Sequence, residues 1–86
     1  MRVAFFGRLD PTKGAHVLVE AIVGAPDLAV VLDVYGVAQG EDGEAYRRRL
    51  ESLAAGDARV AFRPPVPAED VVTRMRTYDE IGRAYV

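Results

Sequence analysis

Residues 28–35 read Leu-Ala-Val-Val-Leu-Asp-Val-Tyr, a run that is close to continuously apolar. A run of this kind fits a parallel β-strand covered on both faces. Parallel strands cannot be joined by tight turns and need crossover connections, usually helices. The segments on either side are therefore expected to be helical and to lead to further strands.

The flanking sequence agrees. Two more short runs have strand character, Arg2–Phe6 and Arg59–Phe62. From Thr12 to Ala25, apolar residues recur at Val17, Leu18, Ala21 and Ile22, which makes one face of a helix. From Gly43 to Ala55, Tyr46, Leu50, Leu53 and Ala54 form a second stripe, with Arg47, Arg48, Arg49 and Glu51 turned outward. Asp42 is placed to cap that helix and Gly56 to close it. Proline and acids at Pro67-Ala68-Glu69-Asp70 suit the first turn of a third helix through Val71, Val72 and Met75. The order β-α-β-α-β-α predicts an α/β, three-layer, Rossmann-like fold with a small parallel sheet of about three strands. Residues 77–86 do not clearly extend the pattern, so no fourth strand is expected, and the sheet keeps an edge that a second copy of the chain is able to cover.

Composition excludes several classes. The 86 residues make at most one small domain, expected to be partial. A net charge of −2 argues against a nucleic-acid binder. With no cysteine, disulfides, thiolate nucleophiles and cysteine metal sites are ruled out. No apolar stretch approaches the roughly 20 residues of a membrane helix, and Met1-Arg2 does not open a signal peptide. The expectation is a cytoplasmic domain with no membrane span.

Three loops carry candidate chemistry, and all should lie at the C-terminal edge of the sheet, where open α/β sheets bind ligands. The first is Gly7-Arg8-Leu9-Asp10-Pro11-Thr12-Lys13-Gly14. Gly7 lets the chain turn after the strand. Arg8 offers a planar fork suited to phosphate, and Lys13 is expected in the first helical turn, beside free backbone N–H groups. A diphosphate fits this arrangement, as does a plain turn with a helix cap. The spacing is neither G-x-G-x-x-G nor a P-loop. The second loop, Tyr35 to Gly43, holds Gly36, Gly40 and Gly43; it is either a cleft wall or an ordinary connection. The third, Arg63-Pro64-Pro65-Val66-Pro67, is stiff and leaves carbonyls free, as a ligand rim or as a rigid connector. His16 is the single histidine, and the acids form no recognisable acid–base pair.

Taken in order, the segments FFGRLDPTKG, LAVVLDVYG, YRRRLESLAAGDARVAFRPPVP and AEDVVTRMRTYD resemble the opening of the C-terminal domain of family 4 retaining glycosyltransferases, which have the GT-B architecture. The resemblance covers residues 1–79. It implies that Arg8 and Lys13 contact the diphosphate of a nucleotide-sugar donor. It also implies that Gly7 and Gly36 line the donor cleft, and that Arg63, Pro64 and Val66 lie against the base. The donor is then a substrate, with no cofactor or metal expected. The family's acidic E-x7-E motif has no counterpart in these residues, nor does the acceptor domain, so no catalytic residue is assigned and the chain alone is expected to be inactive. Residues 80–86 depart from the family pattern; YDEIGRAYV weakly resembles the opening segment of some class I S-adenosylmethionine-dependent methyltransferases. The rival reading is a self-associating α/β module without a ligand.

Overall fold

The structure is a computed structural model that describes the backbone of residues 1–83 and the side chains of residues 1–79. Four strands form one sheet: β1 (Arg2–Arg8), β2 (Val31–Val37), β3 (Val60–Arg63) and β4 (Glu80–Arg83). Their order is β3-β2-β1-β4 and every pairing is parallel. Three α-helices connect them: α1 (Ala15–Val23), α2 (Gly40–Leu53) and α3 (Val71–Met75). The expected α/β class and Rossmann-like parallel sheet are observed.

The period of two along the strands sorts side chains onto two faces. Phe5, Leu32 and Val34 meet Ala15, Val19 and Ile22 of α1 and Tyr46 and Leu50 of α2. Ala4, Phe6 and Tyr35 point the other way and meet Val71 and Met75 of α3, together with Val66 and Tyr78. Two helices thus cover one face and one short helix covers the other. The chain steps from β1 to β2 to β3, then crosses back by α3 to β4 on the far side of β1. That reversal makes the carboxyl end of β1 the topological switch point, where ligands bind in this kind of sheet.

Several sequence expectations are corrected. The sheet gains a fourth strand: Glu80 to Arg83 pair with Val3 to Phe6. The segment carries no apolar run, and its place is set by the centrally located β1 rather than by its own composition. Tyr85 and Val86 lie outside the described residues. With β4 in place both sheet edges are four-residue strands, short enough to offer little template for edge pairing. β1 does not stop at Gly7. It runs on through Arg8, in register with Gly36 and Val37, and Gly7 takes φ 150°, open to glycine but not to side-chain-bearing residues. β2 begins three residues later than the apolar run, because residues 25–28 form a turn. The first helix also starts late. Pro11–Lys13 form a separate 3-10 turn, and Gly14 at φ 80° breaks it from α1. The buried stripe is accordingly Ala15, Val19 and Ile22, while Val17 and Ala21 are exposed. α2 begins at Gly40 with Gln39 as its capping position, so Asp42 sits in its first turn instead. Its expected stripe is kept: Tyr46, Leu50 and Ala54 are buried and Leu53 half-buried.

Candidate functional site

The segment after β1 is fixed by its own side chains. Asp10 accepts from the Thr12 backbone N–H at 2.9 Å and from Thr12 Oγ1 at 2.7 Å. This Asx turn opens the Pro11–Lys13 turn. The two bonds from Thr12 hold the Asp10 carboxyl below its ordinary range, and the charges of Arg8 and Lys13 act on it in the same direction. Arg8 and Lys13 thus lie close enough to Asp10 for their charges to act on its carboxyl. Leu9 turns inward, buried, and its N–H bonds the Val37 carbonyl at 2.9 Å. A side chain at Gly36 would collide with Leu9, so the glycine at this place in β2 is a packing requirement. Arg8, Asp10 and Pro11 form, with Gln39, Asp42 and Gly43 at the start of α2, a cleft of about 230 Å³.

One expectation about this cleft is corrected. The first-turn amides of α1 are not all open to a ligand. The His16 N–H donates to Tyr46 Oη at 3.0 Å, and the Val17 N–H to the Gly14 carbonyl at 3.0 Å. His16 Nδ1 lies 2.7 Å from the same tyrosine oxygen, with the two rings edge to face. Burial pushes the Tyr46 phenol up from its ordinary value. Tyr46 thus caps α1 from α2, and it does so through His16, the single histidine. Arg8 is the cation among the cleft's lining residues, beside Asp10 and Asp42.

Arg63, Pro64 and Val66 lie elsewhere. They line a second cavity of about 390 Å³ on the α3 face, which shares no lining residue with the Arg8 cleft. Its floor is a polar network that sequence reasoning did not find. Asp33, 4% exposed in the middle of β2, accepts from Arg63 Nε at 3.1 Å and from Tyr78 Oη at 2.6 Å. The Tyr35 hydroxyl hydrogen-bonds that of Tyr78. Tyr35 stacks on Phe6, with ring centroids 4.7 Å apart. The Arg2 guanidinium lies over the Tyr78 ring at 4.8 Å and donates to the Thr77 carbonyl. Burial first, then the bonds to Asp33 and Tyr35, push the Tyr78 phenol well above its ordinary range. The bond to Asp33 raises Arg63. An acid interrupting an apolar strand was the available signal; its partner lies 45 residues away and has no local signature.

No protein-family model matches the chain. It is 31% identical to the D-inositol 3-phosphate glycosyltransferase of Corynebacterium glutamicum, over 93% of this chain and 20% of that protein. Its fold matches the crystal structure of the C-terminal domain of a group 1 family glycosyl transferase, LpcC, from Francisella tularensis. The TM-score is 0.71 at 19% identity, over 93% of this chain and 44% of that one. The chain is glycosyltransferase-like. It spans about one fifth of the curated relative and under half of the solved domain. Among the described residues no helix is long and apolar enough to cross a membrane.

Proposed function

We propose that this glycosyltransferase-like chain is the donor-binding half of a GT-B C-terminal domain, taking the diphosphate of a nucleotide sugar at Arg8 and Lys13. The observation that carries the reading is that both cations flank the Asp10 turn, near enough for their charges to act on its carboxyl, at the carboxyl end of β1 and beside the switch in strand order. Arg8 supplies a planar fork and Lys13 a compact point charge, a pair suited to two linked phosphates. Gly7 and Gly36 keep the backbone compact where β1 and β2 end. In a transferase these cations would stabilise the departing diphosphate, and the parent reaction would retain anomeric configuration. Nothing in these 86 residues matches an E-x7-E motif, so the chain alone is proposed to bind donor without transferring sugar. Arg63, Pro64 and Val66 are not carried into this reading, because they line the other cavity.

Calorimetric titration with UDP, GDP and their sugars tests the proposal. Binding by one of them is expected, with Arg8→Ala and Lys13→Ala each weakening it about tenfold or more, the scale of a lost charge-assisted hydrogen bond. Unchanged affinity in both variants would place the ligand elsewhere, and no binding at millimolar ligand removes the proposal.

A further inference from the structure

The cavity on the α3 face is not used by the donor reading. We infer that it is a separate binding site for a small oxyanion, a carboxylate or a phosphate monoester, held between the guanidinium groups of Arg63 and Arg74.

The argument starts from Asp33. A carboxylate buried in the central part of a sheet gives up much of its hydration, and the ion pair that compensates it seldom yields net stability; an apolar residue of similar size is often as good or better. The Asp33–Arg63 pair does have a geometric effect. It takes Arg63 by Nε, and among the described residues its two Nη groups have no hydrogen-bond partner of their own. The Arg63 side chain is 53% exposed, so those groups are reachable from water. The other Asp33 oxygen is occupied by Tyr78, whose oxygen in turn takes part in the bond with Tyr35. The buried charge is thereby spent inside the network and does not compete for a ligand at the mouth.

The α3 helix supplies a second cation. Arg74 lines the same cavity, and among the described residues its guanidinium has neither an ion-pair nor a hydrogen-bond partner. Arg2, the third cation, is already engaged by Thr77 and the Tyr78 ring. Against these three stand Asp33 and Asp70, leaving the lining net positive in a chain whose overall charge is −2. The rim is the segment 64–67, in which Pro64, Pro65 and Pro67 offer no N–H and little freedom to collapse into the space. A guanidinium anchored at Nε and a second one without a partner among the described residues, both lining one cavity, are suited to bidentate recognition of a planar or tetrahedral oxyanion.

The test is a chemical-shift titration of the isotope-labelled chain with inorganic phosphate, then with phenyl phosphate and benzoate to separate ester from carboxylate. Saturable shifts are expected at Arg63 Nε–H, Arg74 and the Val66 and Tyr78 amides. Arg63→Lys keeps the charge but loses the fork, and Arg74→Ala loses the second cation. Both sites are exposed, so folding is expected to survive, and each should weaken binding about tenfold. Asp33→Asn separates positioning from charge. It makes the lining more positive, so charge alone predicts tighter binding, whereas a loosened Arg63 predicts weaker binding. Arg8→Ala should leave all of these shifts unaltered. No saturable shift at Arg63 and Arg74, Arg63→Lys binding like the parent chain, or tighter binding by Asp33→Asn would each overturn the inference, whereas failure of UDP and GDP to bind at Arg8 and Lys13 would overturn only the donor reading.

Discussion

The two faces of the sheet are built from different materials. The face under α1 and α2 is packed by Phe5, Val19, Ile22, Leu32, Val34 and Leu50, nearly all aliphatic and fully enclosed. Its polar tie is the Tyr46–His16 contact. The face under α3 is aromatic and polar: Phe6, Tyr35 and Tyr78 around a buried aspartate, with a five-residue helix that leaves a cavity beside it. Aliphatic packing resists disruption in proportion to the volume removed. Removing one member of a hydrogen-bonded network orphans a buried group at about 1–3 kcal/mol, less than a large cavity costs. The first face should therefore carry stability, and the second should carry specific geometry at a smaller energetic cost when altered.

The largest effect is expected from Leu50→Ala, which opens a hole between α2 and the sheet at a fully buried position. A loss of about 2–5 kcal/mol in denaturant unfolding is expected, enough to unfold a marginal domain of this size. A loss under 1 kcal/mol would break the contrast between the faces. Next is Tyr78→Phe, which removes one of the two bonds to Asp33 and the partner of the Tyr35 hydroxyl while keeping the ring against Phe6. Roughly 1–3 kcal/mol is expected. The readout that separates network from packing is Arg63: its Nε–H signal should broaden or shift in Tyr78→Phe and stay unaltered in Leu50→Ala. Tyr46→Phe comes third, at about 1 kcal/mol, since only the hydroxyl that caps α1 is lost and the ring stays in the core. Amide exchange at His16 should accelerate; unaltered exchange there would show that the tyrosine does not hold the helix end.

How much of this was visible in sequence follows from the range of the forces involved. The α2 stripe of Tyr46, Leu50 and Ala54 reads directly because one helix face meets one core. The start of β2 did not, although its run is the most strand-like in the chain. The reason is Arg59, whose guanidinium reaches across 31 to 37 residues to the carbonyls of Ile22, Ala25 and Leu28. Those three bonds hold 22–28 as a helix end and turn, so Leu28 is exposed and the strand waits until Val31. β4 is a further case in which position prevails over propensity, since Glu80 to Arg83 pair because β1 has an open side. At the candidate sites the cations Arg8 and Lys13 were legible from their spacing around a turn. The division of the expected cleft into two cavities was not. It depends on Arg63 pairing in register with Tyr35 on the α3 face, where it meets Asp33, a relation across two strands.

The smallest expected effect concerns the N-terminal end of the sheet, which is common to both faces. Asp57 receives two side-chain bonds from Arg59, at 2.9 and 2.6 Å, and the Arg59 backbone N–H at 3.0 Å. The Arg59 side-chain bonds, followed by the backbone bond, lower the Asp57 carboxyl from 3.8 to about 2. A carboxyl whose folded value is below its unfolded value stabilises the fold when ionised. That contribution is fully present above about pH 4 and is lost as pH falls from there through about 2. Asp57→Asn lacks the titration, so the stability gap between the parent chain and this variant should be constant from neutral pH down to about 4, narrow below it and level off near 2. Leu50→Ala, in contrast, should show a gap with no such narrowing over the same interval, because no titrating group is lost. If the Asp57→Asn gap held steady from pH 6 to 2, Arg59 would owe its place to the three carbonyls alone. The late start of β2 would then rest on hydrogen bonds that no acid in this range can break.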